Sequence, residues 1–224
     1  MWWALRTFAP LTHVPTGGPW SFGGTRKFVT AAKRLPEARR AASLRWLARR
    51  YLEAFGPASA ADLARFTLIA RAVAREALRG MPDVVELAGP GGTVLFDLPG
   101  AEVPAEDTPA PPRLMPMWDS ILLAYDDRSR VVPPDYRRLI TRQNGDVLPT
   151  MLVDGYVAGM WRPVEGGIEA SAFHRLPEEA WAGLAAEAGA LTAFLADRDP
   201  TVYRRYAHWW SKLPEAAEVR RLPG

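Results

Sequence analysis

The 224 residues contain no cysteine. That excludes disulfides and thiolate metal centres, and it fits a reducing cytoplasm, the compartment expected for the chain. Glutamine occurs once, as Gln143. His13, His174 and His208 stand far apart and match no metal-ligand spacing. No run of about 18 uncharged apolar residues is present, so no membrane span is expected. Met1-Trp2-Trp3-Ala4-Leu5-Arg6 lacks the apolar run and basic flank of a secretory signal. Lysine is scarce beside abundant arginine, alanine and proline. No Ser-His-Asp or nucleotide-loop motif appears, and Gly91-Gly92 reads as a turn.

What is present is a charge split. Residues 1–80 carry 14 Lys and Arg against 4 Asp and Glu, a net of +10, whereas residues 81–224 carry 14 against 21, a net of −7. A concentrated basic segment points to a phosphate backbone, because neutralising phosphates releases counterions. With 48% hydrophobic residues the chain can bury a core and form one or two domains.

The basic half carries helix and turn signals. A short helix is expected over residues 3–9, then strands Leu11–Val14 and Lys27–Thr30 around a glycine-rich tip. A helix then a hairpin resembles the end of a winged helix, with Arg26 and Lys27 at the hairpin's base. From Pro36 or Glu37 to Phe55, Leu44, Leu47, Ala48, Tyr51 and Leu52 make an apolar stripe, with Arg39, Arg40, Arg45, Arg49 and Arg50 largely off it. Gly56-Pro57 stops that helix. Ser59 and Asp62 form a capping-box pattern for a helix over Ala60–Phe66. Thr67 is expected to cap a third helix over Ile69–Gly80, with Ile69, Ala70, Val73 and Ala77 on its apolar face. Arg71, Arg75 and Arg79 recur at four-residue steps on another face. Three stacked like charges call for compensation, by Glu76 in part or by phosphate and base edges, for which arginine is suited. Strands Asp83–Leu87 and Thr93–Leu98 follow. Three helices, strand, glycine turn and strand is the winged-helix order.

Residues 99–112, rich in proline and acid, read as a linker. Beyond it a short helix is expected within Trp118–Tyr125 and another over Tyr136–Gln143. Strands Val147–Val153, Tyr156–Arg162 and Ile168–Phe173 are joined by Asp154-Gly155 and Glu165-Gly166-Gly167 turns. A helix from Pro177 to about Asp199-Pro200 buries Trp181, Leu184, Ala188, Leu191 and Leu195. The aromatic and basic tail from residue 199 mixes Tyr203, Tyr206, Trp209 and Trp210 with Arg204, Arg205, His208 and Lys212. It suits base stacking, self-association or packing against the domain, and packing is the preferred reading. Trp161 reads as buried. The fold class is therefore α+β: a partial winged helix (residues 1–35), a complete winged helix-turn-helix (36–98), the linker, then a small antiparallel β-domain with a C-terminal helix (113–198).

Three segments carry a family resemblance: Tyr51 to Leu63, Leu114 to Ser129, and Leu152 to Arg162. In that order and spacing they resemble the bacterial winged-helix DNA-binding domain family, over about residues 1–197. The resemblance implies tandem winged helices followed by a β-barrel-like domain, duplex DNA as partner, no metal or organic cofactor, and kinship with glycosylases that remove alkylated or crosslinked bases. The glycosylase members carry a Gln-any-Gln or Gln-any-Asp motif near the N-terminus that activates water. Gln143 is the sole glutamine here, so that motif is not carried over, and no catalytic residue is assigned. The expectation is either a truncated relative or a DNA-binding protein without that chemistry. Expected DNA contacts are Arg71, Arg75 and Arg79 at a groove, with Arg26, Lys27, Arg39, Arg40 and Arg49 on phosphates. Two alternatives remain: a glycosylase that activates water with Asp119 or Asp127, and a protein-interaction module on the same scaffold. By default Asp119 is read as a salt-bridge partner of Arg128 or Arg130.

Overall fold

The computed structural model describes residues 9–15, 27–31, 37–102, 104–196, 207–213 and 215–223. The helix expected over residues 3–9 lies almost wholly outside these residues. Arg26, the Thr16–Thr25 tip and tail residues 201–206 lie outside them entirely. Contacts divide the chain into Met1–Trp46 and Leu47–Gly224, each described by itself.

In the first unit, β1 (Leu11–Val14) and β2 (Lys27–Thr30) pair antiparallel with Leu11 opposite Thr30 and Val14 opposite Lys27. Directly opposite residues on one face touch, and His13 stacks on Phe28 with ring centroids 5.0 Å apart. Helix α1 (Glu37–Phe55) begins in this unit and runs into the second.

The second unit opens with three helices and a three-stranded sheet. Ala48, Tyr51 and Leu52, at spacings of three and four, are buried. Gly56 follows because the chain is crowded there: a Cβ would sit 2.7 Å from the Leu52 carbonyl oxygen and against the Asp97 carboxylate. Strand β3 (Ala58–Ser59) leads into α2 (Ala60–Thr67), α3 (Arg71–Arg79), β4 (Val85–Ala88) and β5 (Val94–Asp97), with sheet order β3-β5-β4. The expected capping box forms. The Ser59 hydroxyl accepts the Asp62 N–H at 3.2 Å, and the Asp62 carboxylate accepts the Ser59 N–H at 2.8 Å.

Thr67 does not cap α3. Its hydroxyl donates back to the Leu63 carbonyl at 2.5 Å. Leu68 ends α2 by taking the left-handed conformation, φ 58°, so α3 starts only at Arg71. Ala77 is buried as expected, but Ala74 and Leu78 are buried with it in place of Ile69 and Ala70, which precede the helix.

Strands β6 (Arg113–Met115), β7 (Thr150–Val153), β8 (Tyr156–Val164), β9 (Gly167–Ala172) and β10 (Glu218–Pro223) form one antiparallel sheet in the order β10-β9-β8-β7-β6. Strands β6 and β10 are too short or too charged to show in the sequence pattern. Both faces are covered, so Val157 to Trp161 are buried without alternation. Met151 pairs with Gly159 and Leu152 with Val157, leaving Ala158 as an extra residue in a bulge. The bulge is needed because Ala158 and Trp161 serve one core while Val157 and Met160 serve the other.

The first core packs α6 (Glu178–Leu195) on the sheet through Trp181, Leu184 and Ala188. The second gathers α4 (Ser120–Leu123), α5 (Arg137–Ile140) and their loops around Leu122, Ile140 and Leu148. Beyond α7 (Ala207–Trp210), the tail packs back on the domain. In β10 Leu222 is buried, and Arg220 lies over the Trp181 ring at 4.8 Å while bonding Glu178 and Glu218. Trp161 is buried as expected and donates its ring N–H to the Met115 carbonyl at 2.9 Å.

Residues 124–130 join the helical part to the sheet. The Tyr51 hydroxyl donates to the Ala124 carbonyl at 2.6 Å, and the Tyr125 hydroxyl donates to the Phe55 carbonyl at 3.2 Å. Burial pushes the Tyr51 phenol well above its ordinary pKa, so it stays a donor. The second Asp62 oxygen accepts the Asp126 N–H at 2.8 Å. Asp127 caps the short turn Arg128–Arg130 by accepting the Ser129 N–H at 3.0 Å. That bond, aided by Arg130 and Arg137, holds its carboxyl below the usual range. Asp119 caps α4 through the Ile121 N–H at 2.9 Å rather than orienting an arginine.

Two outcomes follow. Asp62→Ala removes a cap and strands the Asp126 N–H, and denaturant unfolding should show a loss of about 2–3 kcal/mol. Asp127→Ala should lower the thermal midpoint near neutral pH. Because the folded carboxyl titrates below its unfolded value of about 3.9, the wild-type advantage should be complete above that pH and vanish on further acidification. A midpoint difference that grows as pH falls would contradict the capping role.

Candidate nucleic-acid interface

Helix α3 buries Ala74, Ala77 and Leu78 and turns its long charged residues outward. Arg71, Arg75 and Arg79 are all exposed, with Glu76 between them. They differ in what balances them. The Arg79 guanidinium donates to Glu86 of β4 at 3.3 Å. No ion pair or side-chain hydrogen bond engages Arg71 or Arg75 among the described residues, and Glu76 pairs with none of the three. Two adjacent guanidiniums one helical turn apart thus face solvent with no carboxylate partner.

Arg71 opens on a depression of about 290 Å³ between the start of α3, the β4–β5 turn at Pro90 and Thr93, and the loop bearing Arg130. Asp62, Asp126 and Asp127 also line it; the Asp62 carboxylate is engaged by Ser59 and the Asp126 N–H, and that of Asp127 by Ser129. Arg130 stacks over the Tyr125 ring at 4.6 Å and donates to the Pro57 carbonyl at 3.3 Å, which fixes its position beside α3.

A second group of arginines adjoins this loop and was not expected from the sequence. Arg65 in the last turn of α2 and Arg137 at the start of α5 each lie near enough to Arg128 in the capped turn to repel its charge. Burial of Arg128, with repulsion from Arg65 and Arg137, pushes its guanidinium below its ordinary pKa, and Asp126 offsets part of this. Arg65 and Arg137 make no ion pair among the described residues. The local signal in the sequence was Arg128-Ser129-Arg130 and Arg137-Arg138, which an acidic average over residues 81–224 conceals.

The other expected contacts divide between the two units. Arg49 forms a two-pronged ion pair with Asp83, which raises the guanidinium pKa and lowers that of the carboxyl. Its charge is matched within the chain. Lys27 starts β2 and is exposed, as are Arg39 and Arg40 of α1, all in the first unit. Gln143 is exposed in the loop between α5 and β7. Among the described residues no three His, Asp or Glu side chains gather as metal ligands, and no helix is long and apolar enough to cross a membrane.

The solved structure of Streptomyces sahachiroi DNA glycosylase AlkZ shares this fold, with a TM-score of 0.62 at 22% identity over 81% of this chain. The match covers 51% of that protein, so this chain spans about half its length. No match to a curated protein sequence was found. The sequence model for DNA glycosylase AlkZ-like proteins matches residues 1–194. The basic helix, the braced loop and the sheet with its covering helix are thus those of a chain that belongs to the AlkZ-like DNA glycosylase family.

Proposed function

We propose that this chain grips duplex DNA and does not itself supply the water-activating group of base excision. In this reading residues 36–98 are a winged helix-turn-helix, with α3 as recognition helix and the β4–β5 hairpin as wing. Residues 1–35 are part of a preceding winged helix, residues 99–112 a linker, and residues 113–198 a bracing β-domain. The observation that carries the reading is the uncompensated pair Arg71 and Arg75, continued through Arg130 to Arg65, Arg128 and Arg137. Guanidiniums set along a helix and two turns, with Arg71, Arg75, Arg65 and Arg137 in no ion pair among the described residues, suit a phosphodiester strand that accepts planar bidentate contacts. Arg79 stays tethered to Glu86 and serves α3 as much as DNA.

Family membership supports a repair role with DNA as partner. The non-catalytic part rests on the residues themselves. Gln143 is the sole glutamine, and the two carboxylates weighed as water activators, Asp119 and Asp127, are both spent on helix and turn caps.

Duplex affinity measured against salt tests the reading. Each lost phosphate contact lowers the slope of log affinity against log salt by about 0.9, so Arg71→Gln with Arg75→Gln should lower it by about two. The reversal Arg71→Glu with Arg75→Glu should abolish binding. Arg49→Gln breaks a solvent-exposed internal pair and should change stability little while leaving affinity nearly intact. Unchanged affinity in the charge-reversed protein would sink the assignment, and base release from alkylated duplex DNA by this chain would overturn its non-catalytic part.

A further inference from the structure

The turn between α2 and α3 makes two unfavourable choices at one residue. Leu68 takes the left-handed conformation, φ 58° and ψ 26°, where glycine or asparagine is usual and a bulky side chain is strained. The same side chain is 88% exposed, more than any other large apolar residue among those described. Almost none of its surface lies against the protein, so it does not close α2 by packing. Glycine would relieve the backbone and leave less apolar surface in water. Neither folding nor solubility therefore favours leucine at this position.

The chain around it carries charge of one sign. From Leu63 to Arg75 there is no Asp or Glu. Arg65 precedes Leu68 by three residues and Arg71 follows it by three. Both are exposed, and neither is in an ion pair among the described residues. Ala70 and Ala72, beside Arg71, are exposed as well. A bare leucine thus stands in a turn with a free guanidinium on either side of it in the chain.

We infer that Leu68 reads thymine: its side chain meets the 5-methyl group of a thymine in the duplex, while Arg65 and Arg71 hold neighbouring phosphates. The inference rests on the duplex-binding reading and adds a base preference to it. An apolar group between two guanidiniums fits an apolar surface bordered by anions. In an intact duplex the thymine methyl, lying in the major groove between the phosphate strands, is such a surface. Leu68 stands three residues before Arg71, the first residue of α3, and residues at the start of a recognition helix are the ones that reach base edges. An anionic membrane also sets apolar matter behind anions, but one leucine offers far less apolar surface than an interfacial helix uses.

The experiment is fluorescence anisotropy of the full chain with a labelled duplex of alternating A·T pairs and with the same duplex carrying deoxyuridine for thymidine, at one salt concentration. Uracil lacks only the methyl group, so the wild-type chain should bind the thymine duplex about fourfold tighter. Leu68→Gly should bind the two duplexes equally and keep the wild-type salt slope, because no phosphate contact is lost. Its thermal midpoint should be no lower than that of the wild type, since glycine suits the left-handed position. Equal wild-type affinity for the two duplexes at a normal salt slope overturns this inference and leaves the duplex reading standing. A preference that persists in Leu68→Gly, or a lowered midpoint in that variant, overturns it too. No duplex binding at low salt overturns both readings. Binding to phosphatidylserine vesicles that Leu68→Gly weakens, with no thymine preference on DNA, assigns the residue to a lipid surface and overturns the inference.

Discussion

The arrangement depends on one buried carboxylate. Asp62 accepts the N–H and hydroxyl of Ser59 on one oxygen and the N–H of Asp126 on the other. A carboxylate out of water is tolerated only when its lone pairs are filled, and here the three donors come from both sides of a junction. The first two start α2 at a defined residue. The third holds residues 124–130 against the helices, where Tyr51 and Tyr125 exchange hydroxyl-to-carbonyl bonds across the same seam. Arg130 therefore reaches the depression that Arg71 opens on, and Arg65 comes close to Arg128.

Given that junction, the arginines sort by whether an acid is within reach. Arg49, Arg79 and Arg220 are matched by Asp83, Glu86, and Glu178 with Glu218. These pairs tie helix to loop or strand, and exposed pairs of this kind stabilise little on their own. Arg71, Arg75, Arg65 and Arg137 have no such partner among the described residues. Net charge over a segment does not distinguish the two groups, whereas three-dimensional pairing does. These four lie on the helices α2, α3 and α5 of one unit.

The second unit presents two surfaces of contrasting charge. Guanidiniums around α3 and the 124–130 loop offer positive charge and hydrogen-bond donors. The concavity beside Tyr136 is lined by Asp135, Asp154, Tyr156 and His174 and by no arginine or lysine among the described residues. The bulge at Ala158 leaves Val157 and Met160 on one core and Ala158 and Trp161 on the other.

Local chemistry was legible in the sequence wherever one short segment decides it. The Ser59–Asp62 box, the stop at Gly56-Pro57, the Asp154-Gly155 hairpin and the buried faces of α1 and α6 all follow from propensity and period. So does the exposure of Arg71, Arg75 and Arg79. Tertiary contacts decided the rest. Leu68 in a left-handed conformation displaced the start of α3, and β6 and β10 exist because the sheet edge supplies partners that neither segment signals alone. Asp83 claimed Arg49 from 34 residues away, and Arg65, Arg128 and Arg137 met only through the folded junction. Charge and hydrogen-bonding capacity belong to residues and can be read in order along the chain. Whether a charge is neutralised depends on a partner's distance in space, which the fold alone sets.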